Sequence, residues 1–457
     1  LATLLAGKVP VNLNFTAGPA AIQSSLRLAE VKTVISAEAM QAKLPQFPWP
    51  SLTRDMRVDL QRCGKPAVVG RLALVWLLPS SLLASLWRVS RHGGHAEAGL
   101  LFTSGSAGEP KGVPLSHRNI LGNCGQISAT GILSKRETLL ACLPIFHSFG
   151  FTVTLWYALM RGIRTVTLPS PLDAKRTIEA IEEEKITVYV GTPTFIRPVL
   201  KRAEPAQLRS LRFMVSGAEK LPVDLFEFAL QKFGLRILQG YGLTETTQVT
   251  KVNLPVPPNL PKGVKAQEGH RLGSVGRLFA GMTARIVHPG TGEVLPPHET
   301  GIVCFRGPNV FSGYLKDPVR TAEALRDGWF VTGDLGRFDD DGFLYIEGRL
   351  SRFSKVGGEM VPHLSIEQKI VEVFNLEAAE VQKVVVLGVP DAAKGESLVL
   401  LTTEPITVAE LREKLTAAGL PNLWIPKIVR RIDRIPVLGS GKCDLKGCRV
   451  IASETPA

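Results

Sequence analysis

Strand-like apolar runs alternate with helix-length segments along much of this sequence, and that alternation restricts the fold more than any other property. VPVNLNF reads as a strand, AAIQSSLRLAEV as a helix and KTVISA as a strand. Further on, TLLACLP, TVYVGTP, LRFMVSGAE and LRILQGYGLTE read as strands, with TIEAIEEEKI and VDLFEFALQKF as helices between them. Strands separated by helices of this length predict mostly parallel sheets covered on both faces. From about Gly273 the texture changes to short strands broken by Gly and Pro, which predicts a β-rich subdomain. After Arg349 come a strand (KVVVLGV), a helix (TVAELREKLTAAG) and a strand (KIVRRIDRIP), a small α+β unit. The expected class is therefore α/β: a large multi-subdomain portion over residues 1–348, with parallel-rich sheets plus a β-rich part, followed by a small α+β domain over residues 349–457.

The bulk properties narrow the function classes. With 457 residues, 45% hydrophobic and 21% charged, the chain is neither generally disordered nor a polytopic membrane protein. A formal net charge of +13 points to an anionic partner: a nucleotide, a phospholipid surface, nucleic acid or an acidic protein. Residues 51–91 and residues 424–449 each hold seven Lys/Arg against two Asp/Glu. No nucleic-acid-binding signature accompanies them, so nucleic acid is disfavoured. The six cysteines are scattered without a Cys-x-x-Cys pair, which argues against a disulfide framework or zinc site and for a reducing compartment. No signal-peptide pattern opens the sequence. Residues 72–87, LALVWLLPSSLLASLW, carry no charge. They fall short of the ~20 residues that span a bilayer, and they read as a buried helix or a fatty-substrate wall. A membrane-surface helix flanked by Arg71, Arg88 and Arg91 is the alternative.

The sharpest local motif is LLFTSGSAGEPKGVPLSH, residues 100–117. An apolar strand runs into Thr103, Ser104, Gly105, Ser106, Ala107 and Gly108, followed by Lys111. Small residues let backbone N–H groups approach a polyphosphate; hydroxyls add donors and the lysine adds a point charge. The order differs from a Walker A loop, in which Gly-Lys-Ser/Thr closes the motif, so a P-loop kinase or ATPase is disfavoured.

This segment resembles the phosphate-loop signature of AMP-forming adenylating enzymes, the group of acyl-CoA synthetases, peptide-synthetase adenylation domains and firefly luciferase. Other stretches agree in order. LPIFHSFGF resembles the aromatic/His segment by the acyl site, SGAEKLP the adenine-side loop, and QGYGLTET the acyl-adenylate loop. WFVTGDLGRFDDDGFLYIEGR resembles the ribose-binding and hinge region, and GSGK, residues 439–442, the C-terminal lysine motif. The resemblance implies ATP and Mg²⁺ as cofactors. Thr103, Ser104, Gly105, Ser106, Gly108 and Lys111 would hold the phosphates. Gly217, Ala218 and Glu219 would border the adenine, Tyr241 would stack on the base, and Gly242 belongs to the same nucleotide loop. Thr244 would contact the α-phosphate and Glu245 would bind the metal. Asp334 and Arg349 would meet the ribose, and Lys442 would bridge carboxylate and α-phosphate from a mobile C-terminal domain. His147 is expected to gate or line the acyl site rather than act as a base. Taken singly, Asp334 is an ordinary turn acid, Tyr241 a packing residue, His147 an interior histidine and Lys442 a surface lysine. Two departures stand out: Ser351 occupies a hinge position commonly Asp or Lys, and the resemblance begins some tens of residues into the usual family pattern.

Within the family, AGKVPVNLNFTAG, SGAEKLP, RFSKVGGEMVP and the ending LPNLWIPK…IPVLGSGKCDLKG are most similar to the ligase half of bacterial 2-acylglycerophosphoethanolamine acyltransferase/acyl-ACP synthetases. That similarity implies a long-chain fatty acid, acyl carrier protein as thiol carrier, lysophospholipid reacylation downstream, and a cytoplasmic protein peripheral to the inner membrane face. The competing expectations are a long- or medium-chain acyl-CoA synthetase using CoA, and an inactive lipid- or nucleotide-binding homologue.

Overall fold

The computed structural model describes residues 2–89, 93–103, 110–255, 268–357, 359–376, 382–391, 395–437 and 443–453. The alternating pattern builds a seven-stranded sheet. Its strand order is Arg277–Leu278, Lys251–Val252, Ile237–Tyr241, Phe213–Ser216, Val188–Gly191, Thr138–Ala141 and Arg164–Thr167. The five strands from Ile237–Tyr241 onward are parallel, and the two at the other edge are antiparallel. Helix Val223–Phe233 spans the segment expected from its spacing and buries Leu225, Phe226 and Ala229. It ends at Gly234, whose φ of 66° closes the helix in the left-handed conformation.

A smaller sheet stands against this one. Strand Glu97–Thr103 runs parallel to Val11–Asn12 and antiparallel to Lys111–Ser116. One apolar core joins the two sheets, with Leu101, Val113 and Leu115 packed among Leu139, Val188 and Leu238. The β-rich expectation is met by an all-antiparallel sheet of Thr283–Val287, Gly301–Arg306, Trp329–Phe338, Leu325–Arg326 and Leu344–Arg349. Toward the C-terminus, Phe353–Val356, Glu359–Pro362, Val384–Asp391, Gly395–Thr402 and Ile428–Arg431 form a further sheet. Helices His363–Val373, Val408–Ala417 and Leu445–Ser453 accompany it.

Three features depart from the sequence pattern. Residues 72–87 are not a buried helix. They fall in helices Lys65–Leu77 and Ser80–Leu86, broken at Pro79, and of these only Leu83 is buried. Trp76 is 89% and Leu77 79% exposed. Apolar side chains lie all round Lys65–Leu77, so no single packed face could cover them. Gly150–Tyr157 is a π-helix, a rare element that marks functional sites. Finally, the segment after strand Ile237–Tyr241 is an irregular turn, with Thr247 at φ 52° and Gln248 at φ 86°.

At the start of the last sheet, buried Arg352 pairs with buried Glu367 at 2.5 Å. His363, 1% exposed, bonds Ser354 through Nε2 at 2.8 Å. Burial, reinforced by the charges of Arg352 and Arg449, pushes the His363 imidazole from 6.5 down to about 3. The unfolded chain therefore takes up a proton that the folded chain refuses throughout that window. The contribution is intact above pH 6.5 and declines as pH falls toward 3, by roughly 1.4 kcal/mol per unit. Denaturation midpoints from about pH 7 to about pH 4 are expected to show this slope, and His363→Gln to flatten it. An unchanged slope in the variant would assign the effect to other groups.

Candidate active site

The hairpin of Glu97–Thr103 and Lys111–Ser116 sets Thr103 opposite Lys111, so both ends of the glycine- and hydroxyl-rich stretch are held side by side. Ser104, Gly105, Ser106 and Gly108 lie outside the described residues, as does Lys442. The Thr103 hydroxyl is buried and has no hydrogen-bond partner among the described residues, a donor kept for something else or a net cost.

Lys111 leaves the hairpin toward the turn that carries Thr244 and Glu245. Its Nζ donates to the Tyr314 hydroxyl at 3.0 Å, lies 4.3 Å from that ring's centroid and 3.8 Å from Glu245 Oε1. The Tyr314 hydroxyl in turn donates to Glu245 Oε1 at 2.8 Å. Burial, with Glu245 adding to it, pushes the Tyr314 phenol upward, so its proton stays on the bridge. Glu245 is 7% exposed and its backbone carbonyl accepts from Phe311 N at 2.8 Å.

Buried amides hold this turn in shape. Asn309 donates from Nδ2 to the Thr246 carbonyl at 2.8 Å, and its own carbonyl accepts from the Thr247 hydroxyl at 2.7 Å. Asn123 accepts from Val249 N at 3.2 Å. Gly242 makes the turn possible, because a Cβ there would lie 1.1 Å from the Gln248 carbonyl oxygen. The Ser148 hydroxyl bonds Gln248 and lies 3.2 Å from the Thr244 hydroxyl, which fixes the latter's position.

A second cluster joins at the strand end. The Tyr241 hydroxyl donates to Asp334 Oδ2 at 2.5 Å, and Arg349 Nε meets Asp334 Oδ1 at 3.0 Å. Asp334 faces Arg349 because strands Trp329–Phe338 and Leu344–Arg349 pair those two residues. Burial pushes the Asp334 carboxyl up, while Arg349 and Tyr241 pull it back. Burial and the Asp334 charge hold the Tyr241 phenol well above its usual range. Glu245 also acts electrostatically on both Asp334 and Arg349, so the two clusters share one field.

The remaining expected residues lie nearby in different settings. Gly217 closes strand Phe213–Ser216, and a Cβ there would come within 2.9 Å of the Phe149 ring. Ala218 takes a left-handed φ of 65°. The Glu219 carboxylate accepts from the Thr194 hydroxyl at 2.7 Å and from Thr194 N at 3.4 Å, serving the first turn of helix Pro193–Arg202. His147 is exposed, its ring 4.7 Å from Phe146, just before the π-helix. Between Gly217 and Tyr241 lies an apolar cavity of about 50 Å³, walled by Phe149, Phe213, Phe279 and Val252. Thr130, Tyr241 and Gln248 also border it, yet its surface is almost wholly apolar.

Tyr314, Ser148 and Asn309 were not legible as site residues. An aromatic in FSGYLKDP reads as packing, and a lone serine or asparagine carries no signal. Tyr314→Phe removes the hydroxyl that joins Lys111 to Glu245, and is expected to cost about 1–3 kcal/mol in equilibrium unfolding. Unaltered stability would show that the bridge does not hold the two loops together.

The chain is similar to known proteins over most of its length. Residues 1–315 match the family described as AMP-binding enzyme. The chain is 34% identical over 358 residues to a feruloyl-CoA synthase of Amycolatopsis sp, covering 76% of this chain and 68% of that protein. It is 32% identical over 355 residues to a long-chain-fatty-acid–CoA ligase of Bacillus subtilis, covering 76% of this chain and 60% of the relative. Its fold is similar to the crystal structure of ATP-bound MatB from Rhodopseudomonas palustris. That match has a TM-score of 0.74 and 27% identity, and covers 98% of this chain and 85% of the other.

Proposed function

Because this chain belongs to the AMP-binding enzyme family, we propose that it joins a fatty acid to a phosphopantetheine thiol through an acyl-adenylate, spending ATP to AMP and pyrophosphate. The observation that carries the proposal is the junction of Thr103–Lys111 with Glu245. The phosphate-loop hairpin and the acyl-adenylate turn meet through one hydroxyl and one ion pair.

In the adenylation step a carboxylate oxygen bonds Pα, the bond from Pα to the bridging oxygen breaks, and pyrophosphate leaves. Two anions must approach, so the protein's task is to place positive charge and donors. Lys111 and the buried Thr103 hydroxyl serve the phosphates, and Thr244, held by Ser148, serves Pα. Asp334 and Arg349 serve the ribose, Tyr241 and Gly242 the base, with Gly217, Ala218 and Glu219 at its edge. Mg²⁺ takes one or two carboxylates beside substrate phosphates, and Glu245 is a single buried carboxylate of that kind. The ion would neutralise phosphate charge. Lys442 serves the carboxylate and Pα from the C-terminal unit. The hinge would fall at Leu350 and exposed Ser351: Arg349 is tied to Asp334 on one side and Arg352 to Glu367 on the other. A thiol then attacks the acyl carbonyl and AMP leaves.

The apolar wall by Gly217 supports an apolar acid, and His147 stands at the segment that borders it. The small volume of that cavity favours a second reading, a medium-chain or aryl acid passed to CoA. The cations of residues 424–449 support acidic carrier protein as the thiol partner. Exposed Trp76 and Leu77, near Lys65 and Arg71, support peripheral contact with an anionic membrane surface.

ATP–pyrophosphate exchange across carboxylic acids of rising length is expected to appear with a fatty acid, and Lys442→Ala to lower it by at least roughly 10²-fold while ATP still binds. No exchange with any acid would refute ligase activity. Replacing Arg430 and Arg431 with Glu is expected to weaken carrier-protein use and leave exchange intact; equal loss of both would remove the steering argument.

A further inference from the structure

We propose that Cys443 and Cys448 form a thiol–disulfide site whose oxidation shuts down adenylation. The two sulfurs face each other at 3.7 Å. The sequence carries no Cys-x-x-Cys pair to announce them, because Cys443 precedes helix Leu445–Ser453 and Cys448 lies inside it. The fold brings them together. Cys448 N donates to the Asp444 carbonyl at 2.9 Å, and the Asp444 side chain accepts from Lys446 N and Gly447 N, both at 3.1 Å. The first turn of the helix is thereby set against Cys443.

The environment suits exchange chemistry. Cys448 is fully buried among Val385, Leu387, Val399 and Leu401, while Cys443 is partly exposed. The hydrogen bond from Cys448 lowers the Cys443 thiol below its usual range, with Arg352 adding to this, and the same bond raises Cys448. The outer sulfur is the nucleophile and the inner one the resolving thiol. The oxidant is a small disulfide such as glutathione disulfide. The Cys443 thiolate attacks one of its sulfurs and releases a glutathione thiolate. Cys448 then loses its proton and attacks the Cys443 sulfur, releasing the second glutathione. Two protein thiols and one glutathione disulfide become one protein disulfide and two glutathiones.

Position gives the site its consequence. Cys443 follows Lys442 directly in the chain and bridges to Val437 across residues 438–442. Forming a bond of about 2.05 Å closes the gap between the two sulfurs by more than an ångström and ties the residue next to Lys442 to the helix. Even a small displacement passed on to the lysine would be costly in rate. Arg352 lies close enough for its charge to act on both sulfurs. This inference rests on Lys442 serving adenylation.

The test uses the full chain carrying Cys63→Ser, which removes an exposed thiol. It is equilibrated in glutathione buffers from reducing to oxidising. Peptide mass mapping reads the 443–448 link by the loss of two hydrogens, and pyrophosphate exchange is measured on the same samples. The expected result is a link that rises as exchange falls by at least roughly tenfold, both reversed by dithiothreitol. Cys443→Ser, which removes the attacking thiol, is expected to keep full exchange at every ratio. Absence of the link under oxidation, a link without loss of exchange, or equal inhibition of Cys443→Ser would each overturn the proposal. Failure of the fully reduced protein to exchange would instead refute the ligase reading, since the link is detected independently.

Discussion

One hydroxyl, that of Tyr314, closes the distance between two loops that the chain delivers from opposite directions. Lys111 arrives on an antiparallel hairpin and Glu245 on the turn after a parallel strand, and both bond the same oxygen. Neither charge is well solvated there, so each would be costly alone. The pairing makes a partly buried cation and a buried anion mutually tolerable while leaving them separable, at 3.8 Å, by a more highly charged ligand. On the proposed reading a nucleotide triphosphate with its metal would be such a ligand, its phosphates competing for the ammonium and its metal for the carboxylate.

The rest of the architecture serves to keep that junction in place. The parallel sheet ends at Tyr241, and the next residues must reverse within a few positions. Gly242 is the only residue type that fits the approach of the Gln248 carbonyl, and buried Asn123 and Asn309 take up backbone groups that no sheet or helix satisfies. A regular hairpin would have needed none of this, but it would have pointed Thr244 and Glu245 to alternate faces. The irregular turn instead puts the Thr244 hydroxyl beside Ser148 and Glu245 beside Tyr314.

The layered fold was legible because parallel strands and amphipathic helices leave different periodicities, and helix Val223–Phe233 even kept its expected bounds. The hairpin motif was legible because phosphate chemistry demands small residues next to a lysine. What could not be read was whatever depends on a partner distant in the chain. Tyr314 meets Lys111 across 203 positions. The segment 72–87 has the composition of a core helix, and only its exposure, Leu83 apart, reveals otherwise. Glu219 was assigned by order within a motif, and nothing in that order announced that its carboxylate accepts from Thr194 at the start of helix Pro193–Arg202.

Tyr241 and Asp334 show how one contact can carry two functions. Their hydrogen bond, with Arg349 behind it, satisfies a carboxylate that burial would otherwise protonate more readily. The same bond fixes the tyrosine ring at the edge of the apolar cavity, which on the proposed reading would set a single side chain between nucleotide and acyl group. Arg349 is also where strand Leu344–Arg349 ends. Three residues on, Arg352 is committed to Glu367. Rotation between these two anchored arginines would leave both ion pairs intact, because each lies wholly on one side of Leu350 and Ser351. A second unit could thus exchange the faces it presents to the nucleotide without either buried carboxylate losing its partner.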